Sequence, residues 1–239
     1  MIAVVCLACS VCLAKAAIIA DWTFETSQPN IPTPGAANSS SYASEIGINA
    51  SSSYASGQHA DATTVWSSPA GNGSAHSFSS TKWASGDYYQ FSVSTVGFVQ
   101  ISVAFDQISS GTGPANFHFE YSTDGGANFS TFADYAITHT TFTVSSTTFN
   151  ENLSAMTGLD NNAGVVFRLV DANSTSEGGG TVNTTGTSKV DNFIVNGISV
   201  VPEPPGWGAI SALGLLGICG LREWRQRRCG EKLKSCPVK

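Results

Sequence analysis

Four histidines and fourteen carboxylates lie between residues 17 and 200, and catalysis or metal chemistry in that stretch would have to be built from them. His59, His76, His118 and His139 are scattered among polar residues. None forms an H-x-x-x-H or H-E-x-x-H pair, the spacing that puts two imidazoles on one helix face around zinc. The stretch contains no cysteine, so it offers no thiolate for a metal or a nucleophile. No G-x-S-x-G elbow occurs, and the many serines reflect composition. A glycosidase needs two carboxylates facing each other across about 5–10 Å. Glu120, Glu151, Asp106 and Asp134 are available, but nothing in their spacing says that any two converge. Gly71-Asn-Gly73 and Gly178-Gly-Gly180 do not stand between a strand and a helix, which excludes a phosphate loop. The chain therefore reads as non-enzymatic and without a cofactor.

Ring faces are the other chemistry on offer. Trp66, Trp83, Tyr88 and Tyr89 lie among Ser, Thr and Asp, the surroundings of an aromatic platform for sugars on a β-sandwich. They equally suit core or rim packing, because large aromatics are mostly buried. Residues 17–200 carry 3 basic and 14 acidic side chains, a net charge of −11. That charge repels nucleic acid and favours neutral over anionic polysaccharides.

The elements that must position these groups are strands. Short alternating runs are separated by Gly, Ser, Asn and Asp. Ala20, Trp22 and Phe24 share one face; so do Val99, Ile101, Val103 and Phe105; so do Phe117, Phe119 and Tyr121, with His118 and Glu120 opposite. Tyr89, Phe91 and Val93 repeat the pattern, as do Val165, Phe167 and Leu169, and a last strand covers 190–196. Ser122-Thr-Asp-Gly-Gly126 supplies residues tolerant of positive φ for a tight hairpin. Residues 27–60 read as a long surface excursion with one short strand, and 172–188 as a second polar loop.

This all-β pattern resembles the jelly-roll antiparallel β-sandwiches of extracellular bacterial modules. Three phrases carry the likeness: Asp21-Trp-Thr-Phe-Glu25, Phe119-Glu-Tyr-Ser-Thr-Asp-Gly-Gly126 and Val190-Asp-Asn-Phe193. The resemblance implies that the first and last strands pair and gather Asp21, Glu25 and Asp191, where such folds can hold a structural calcium. Solvated surface acids are the alternative, since no spaced acidic motif is present.

Both ends of the chain have other signatures. Ile2 to Leu13 is an apolar run followed by Ala14-Lys15-Ala16, whose small residues suit signal-peptidase cleavage before Ala17. No Lys or Arg precedes the run, a departure from the usual signal. At the other end stand Val201-Pro202-Glu203-Pro204-Pro205, an apolar run over 206–221, and Arg222, Arg225, Arg227 and Arg228. As a helix the run rises about 24 Å, slightly short of the hydrocarbon core of about 30 Å. Trp207 and Trp224 suit the headgroup zones, and the arginines should stay cytoplasmic, which places the body outside.

This tripartite end resembles the PEP-CTERM sorting signal of Gram-negative bacteria that make exopolysaccharide. The resemblance implies recognition of Pro202, Glu203 and Pro204 by a membrane protease, exosortase, which holds the catalytic machinery. The expected organisation is a signal peptide over 1–16, a β-sandwich ectodomain over 17–200, a sorting signal with one transmembrane helix over 201–228, and a cytoplasmic tail over 229–239. The expected function is that of a non-enzymatic surface or matrix protein, exported, anchored by the C-terminal helix and then retained or released. A polysaccharide-binding module delivered by the same route is the alternative, ahead of a secreted glycoside hydrolase. The expected partners are the membrane, exosortase and exopolysaccharide.

Overall fold

A computed structural model describes residues 16–29, 35–143 and 146–200. Ala14, Pro202, Glu203, Pro204, the apolar run over 206–221 and the four arginines after it lie outside those residues.

Twelve strands form among the described residues: β1 (Ala16–Trp22), β2 (Tyr42–Ala43), β3 (Tyr54–Gln58), β4 (Trp66–Ser67), β5 (Phe78–Thr81), β6 (Tyr88–Val93), β7 (Phe98–Ser109), β8 (Asn116–Ser122), β9 (Ser130–Ala136), β10 (Thr148–Asn152), β11 (Val165–Asp171) and β12 (Thr187–Ser199). They make two antiparallel sheets of six, an all-β sandwich. The first sheet runs β10-β7-β12-β5-β4, with β1 also paired to β12; the second runs β2-β3-β6-β11-β8-β9. Along one edge of β12, β5 pairs with 187–190 and β1 with 193–198, while β7 takes the other edge.

Alternation decides which side chains meet between the sheets. β6 and β8 place Tyr89, Phe91, Phe117 and Phe119 inward, and β11 adds Phe167 and Leu169. Phe193 of β12 lies at the centre. Its ring stacks on Phe91 at 3.6 Å and 2° and neighbours Phe105 at 5.7 Å and Trp22 at 5.9 Å. Each such ring contributes about 1.5–3 kcal/mol through burial, more where ring geometry is favourable.

Residues 27–60 differ from expectation. They contain two strands of the second sheet, and their 46–49 segment then covers β1. Asp21 N donates to Ile46 O at 2.8 Å and Asn49 N to Ile19 O at 2.9 Å. Small residues hide the strand: a Cβ on Gly57 would lie 2.4 Å from the Trp66 ring, so β3 supports that indole only with glycine there. The 172–188 loop is shorter than expected, because Thr187 and Ser188 already belong to β12. The β8–β9 connection spans residues 123–129 and is no two-residue turn; Gly125 and Gly126 take φ of 76° and 91° within it.

The described chain enters and leaves at one end of the sandwich. Ala16 lies opposite Ile198, and Ser199 opposite Phe98. The 82–87 turn and the 172–186 loop lie at the far end of β6, β11 and β12.

Candidate functional site

The outward face of the second sheet carries the most organised polar and aromatic surface of the domain. Register sets its rows. Arg168 on β11 stands between Gln90 on β6 and Glu120 on β8, and Ser56 on β3 extends that row. In the next row Val170 stands between Tyr88 and His118, continued by Gln58 and Asp134.

Arg168 is the organising residue. Its Nε donates to Gln90 Oε1 at 2.8 Å and its Nη2 to the Tyr88 hydroxyl at 3.1 Å. The guanidinium carbon lies 3.9 Å from the centroid of the Tyr88 ring and 3.7 Å from that of Phe129, which the 123–129 loop folds over the face. Cation–π contacts on both rings hold the side chain in one geometry. The Tyr88 hydroxyl donates onward to Gln58 Oε1. Burial lowers the Arg168 pKa, opposed by Tyr88 and Glu120. At the far end of this face a shallow cavity of about 380 Å³ is lined by Asn116, His118, Asp134 and Asn173, among others. His118 Nδ1 lies 2.6 Å from Asp134 Oδ1. The surface therefore offers fixed donors, acceptors and a ring, with Arg168 beside Glu120 and His118 beside Asp134.

The four aromatic residues expected to present ring faces divide. Trp66, Trp83 and Tyr89 are 1%, 5% and 0% exposed, so they are core residues and not platforms. Trp66 Nε1 donates to Ala36 O, Trp83 Nε1 to Ser80 O, and the Tyr89 hydroxyl to Ser188 O. The serines and threonines that gave these rings a polar neighbourhood, Thr64, Ser79 and Ser80, are themselves buried. Tyr88 alone is half-buried on the open face. Arg168, Gln90 and Phe129 escaped the sequence reading. The available signal was a single cation between Phe167 and Leu169 on a strand, in a body with only 3 basic residues.

Beneath this surface, His59 Nδ1 lies 3.5 Å from Asp87 Oδ2 and its Nε2 lies 3.4 Å from Ser80 Oγ. That is the order of a hydrolytic triad, but it is sealed. Ser80 is 0% exposed, its hydroxyl donates to Tyr89, and the imidazole packs against Trp66 at 4.7 Å and Trp83 at 4.4 Å. Burial lowers the His59 pKa to about 4 and leaves the ring neutral at pH 7. The group ties the sheets together and reaches no substrate. Glu120 and Asp134 share an open face, whose shallow cavity is lined by Asp134 and not by Glu120, while Asp106 and Glu151 lie on the other sheet.

Asp21, Glu25 and Asp191 do not assemble a calcium site. β1 and β12 do pair, with Asp21 opposite Ile194 and Trp22 opposite Phe193. Each acid nevertheless has separate surroundings. Glu25 Oε1 accepts from His76 N at 2.9 Å, and Asp191 Oδ2 accepts from Asn72 N and Ser74 Oγ, both at 2.7 Å. Burial, then Glu45, raises Asp21 to about 6. Glu45 itself accepts five hydrogen bonds from Thr23, Thr26 and Ser27. These bonds outweigh its burial and hold it at about 2. Among the described residues no three acidic, histidine or cysteine side chains gather as a metal would require.

No family model and no curated protein matches the chain. Solved structures do. A tandem of CBM22 domains from Paenibacillus barcinonensis Xyn10C aligns at 12% identity and TM-score 0.44, over 80% of this chain and 50% of that one. This chain thus spans about half of that tandem's length. CBM29_1, a carbohydrate-binding module from Piromyces equi, aligns at 7% identity and 0.37, over 79% and 93%. The K1 cleaved adhesin domain of Lys-gingipain from Porphyromonas gingivalis aligns at 11% and 0.39, over 76% and 97%. These likenesses are distant, and what this chain does has to be read from its own surface.

Proposed function

We propose that residues 17–200 form a non-catalytic polysaccharide-binding module of jelly-roll type, exported and presented at a bacterial surface by the C-terminal sorting signal. The observation that carries the binding reading is the Tyr88–Arg168–Phe129 stack with Gln90, Gln58 and Glu120 in register on an open face. Sugars are bound by pairing an apolar ring face with several fixed hydrogen-bonding groups, and this surface supplies both, with the Arg168 charge offset by Glu120 beside it. The acidic remainder of the body favours a neutral chain over an anionic one. This reading is preferred to that of an inert matrix protein because a merely solvated face has no use for a side chain held between two rings.

The full-length chain, purified in a detergent without a sugar headgroup, is expected to be retarded in gels containing at least one of xylan, β-glucan, galactan or mannan. Tyr88→Ala and Arg168→Ala should each weaken that retardation about tenfold or more, as loss of a central anchor does. Retardation by none of the four, or equal retardation of variants with unchanged melting, would overturn the binding reading.

Export rests on the Pro-Glu-Pro segment, the apolar run and the arginines after it. Prolines at 202 and 204 disfavour helix and central-strand hydrogen bonding, a property that suits a segment read by a protease. In a host that makes exosortase, Glu203→Ala should leave the chain uncleaved in the membrane fraction, measured as intact mass of its C-terminus. Identical processing of the two forms would remove the sorting assignment.

A further inference from the structure

A second cavity, of about 380 Å³, lies at the loop end of the sandwich and away from the sheet face. Asp61, Lys82, Trp83, Val182, Asn183 and Thr184 line it. Its size falls at the small end of ligand cavities, roughly 300–1,000 Å³.

Three features make it more than a dent between loops. The first is a preformed wall. The 172–186 segment is tied down by Glu177 N to Gly113 O at 2.9 Å, Val182 N to Ser174 O at 2.9 Å and Asn183 N to Thr112 O at 3.0 Å. The second is strain: Lys82 has φ of 58°, a left-handed conformation that a lysine adopts at a cost and that clusters at functional sites. The third is a set of polar groups with no net charge. Lys82 Nζ lies 3.7 Å from Asp61 Oδ2 and donates to Thr63 Oγ1. Asn183 Oδ1 accepts from Thr184 Oγ1 and Thr185 N, each at 3.2 Å, while its amide nitrogen has no hydrogen bond among the described residues. Trp83, Ala84 and Val182 supply the apolar part of the lining.

We propose that this cavity is a second carbohydrate site, taking the terminal sugar of a neutral glycan, whereas the sheet face takes the interior of a chain. An open sheet gives a polymer no wall at either side. A cavity flanked by the 82–84 turn and the 182–184 loop admits an end. Mixed apolar and uncharged hydrogen-bonding groups suit one pyranose ring and give an anion no net attraction. The position favours this use, since the 13-residue β12 starts beside the loop and sets it about 40 Å from Val200. The ligand class rests on the carbohydrate reading above; the site itself is separate.

Titrating the full-length chain, in a detergent without a sugar headgroup, with glucose, xylose, galactose, mannose, N-acetylglucosamine and cellobiose should give saturable binding of at least one by calorimetry. Asn183→Asp keeps the oxygen that holds the loop and removes the amide donors, so it should weaken binding about tenfold with unchanged melting. Lys82→Ala should do the same, while both variants keep polysaccharide retardation. No binding by any of the six, or binding unaffected by both substitutions, overturns the second site. Binding lost in Tyr88→Ala instead assigns the small sugar to the sheet face and also overturns it. Polysaccharide retardation in the same preparation reads the first site independently, so the two can fail separately.

Discussion

Asp171→Asn should stabilise the domain at neutral and alkaline pH and leave its stability at pH 4 nearly unchanged. Asp171 ends β11 and is 1% exposed. Its Oδ1 accepts only a 3.3 Å bond from Asn173 N, and its Oδ2 has no hydrogen-bond partner among the described residues. Burial, reinforced by nearby Asp87, raises the carboxyl from 3.8 to about 7. The unfolded chain loses this proton near pH 4, whereas the folded one keeps it until near pH 7. Folding stability therefore falls as pH rises through that window and stays low above it. About three pH units at about 1.36 kcal/mol each give a penalty of up to about 4 kcal/mol at pH 8. Asparagine keeps the Oδ1 bond and cannot ionise, so it escapes the penalty. For a domain of this size the gain corresponds to roughly 8–16 °C in Tm at most. Urea titrations of both forms at pH 4, 6 and 8, followed by near-ultraviolet circular dichroism, measure it directly. A variant that is no more stable than the parent at pH 8, or whose advantage does not grow between pH 4 and 8, would refute the assignment of a strained buried carboxylate.

Phe193→Ala removes the ring on which Phe91 stacks at 3.6 Å and should cost about 3–5 kcal/mol, read as a lowered urea midpoint. Gly71→Ala would put a methyl 2.1 Å from Asp191 Oδ2 and 2.2 Å from His76 O, so it should destabilise by about 1–3 kcal/mol. A Gly71→Ala melting curve matching the parent would show that the 71–76 loop yields freely.

Strands with strict alternation could be read in advance. Phe117, Phe119 and Tyr121 announced β8, and Val165, Phe167 and Leu169 announced β11. Strands built from small or polar residues could not. β5 is Phe-Ser-Ser-Thr, and its serines are buried because Ser80 bonds to Tyr89 across the core. β3 carries Gly57, which reads as a turn and exists for the Trp66 ring. The site was misread for a related reason. Local polarity around Trp66 and Trp83 looked like surface, yet Thr64 and Ser80 are buried and meet His59 and Tyr89 inside the sandwich. Arg168 was visible only as an oddity, since its partners Tyr88, Gln90 and Phe129 come from two other segments that only the fold brings together. Pairing of β1 with β12 was foreseeable, but the loops that supply hydrogen-bond donors to Glu25, Glu45 and Asp191 were not.

The placement of β12 has a mechanical consequence. Were the domain held beyond Val200 and bound to a polymer on its opposite sheet, as proposed, force would enter through β12. That strand is 13 residues long, with β7 along one edge and β1 and β5 along the other. Pulling it free means sliding many ladder bonds at once, as opposed to opening them one after another from an end. Under the proposed anchoring, attachment would fall at the end of the longest strand of the described residues.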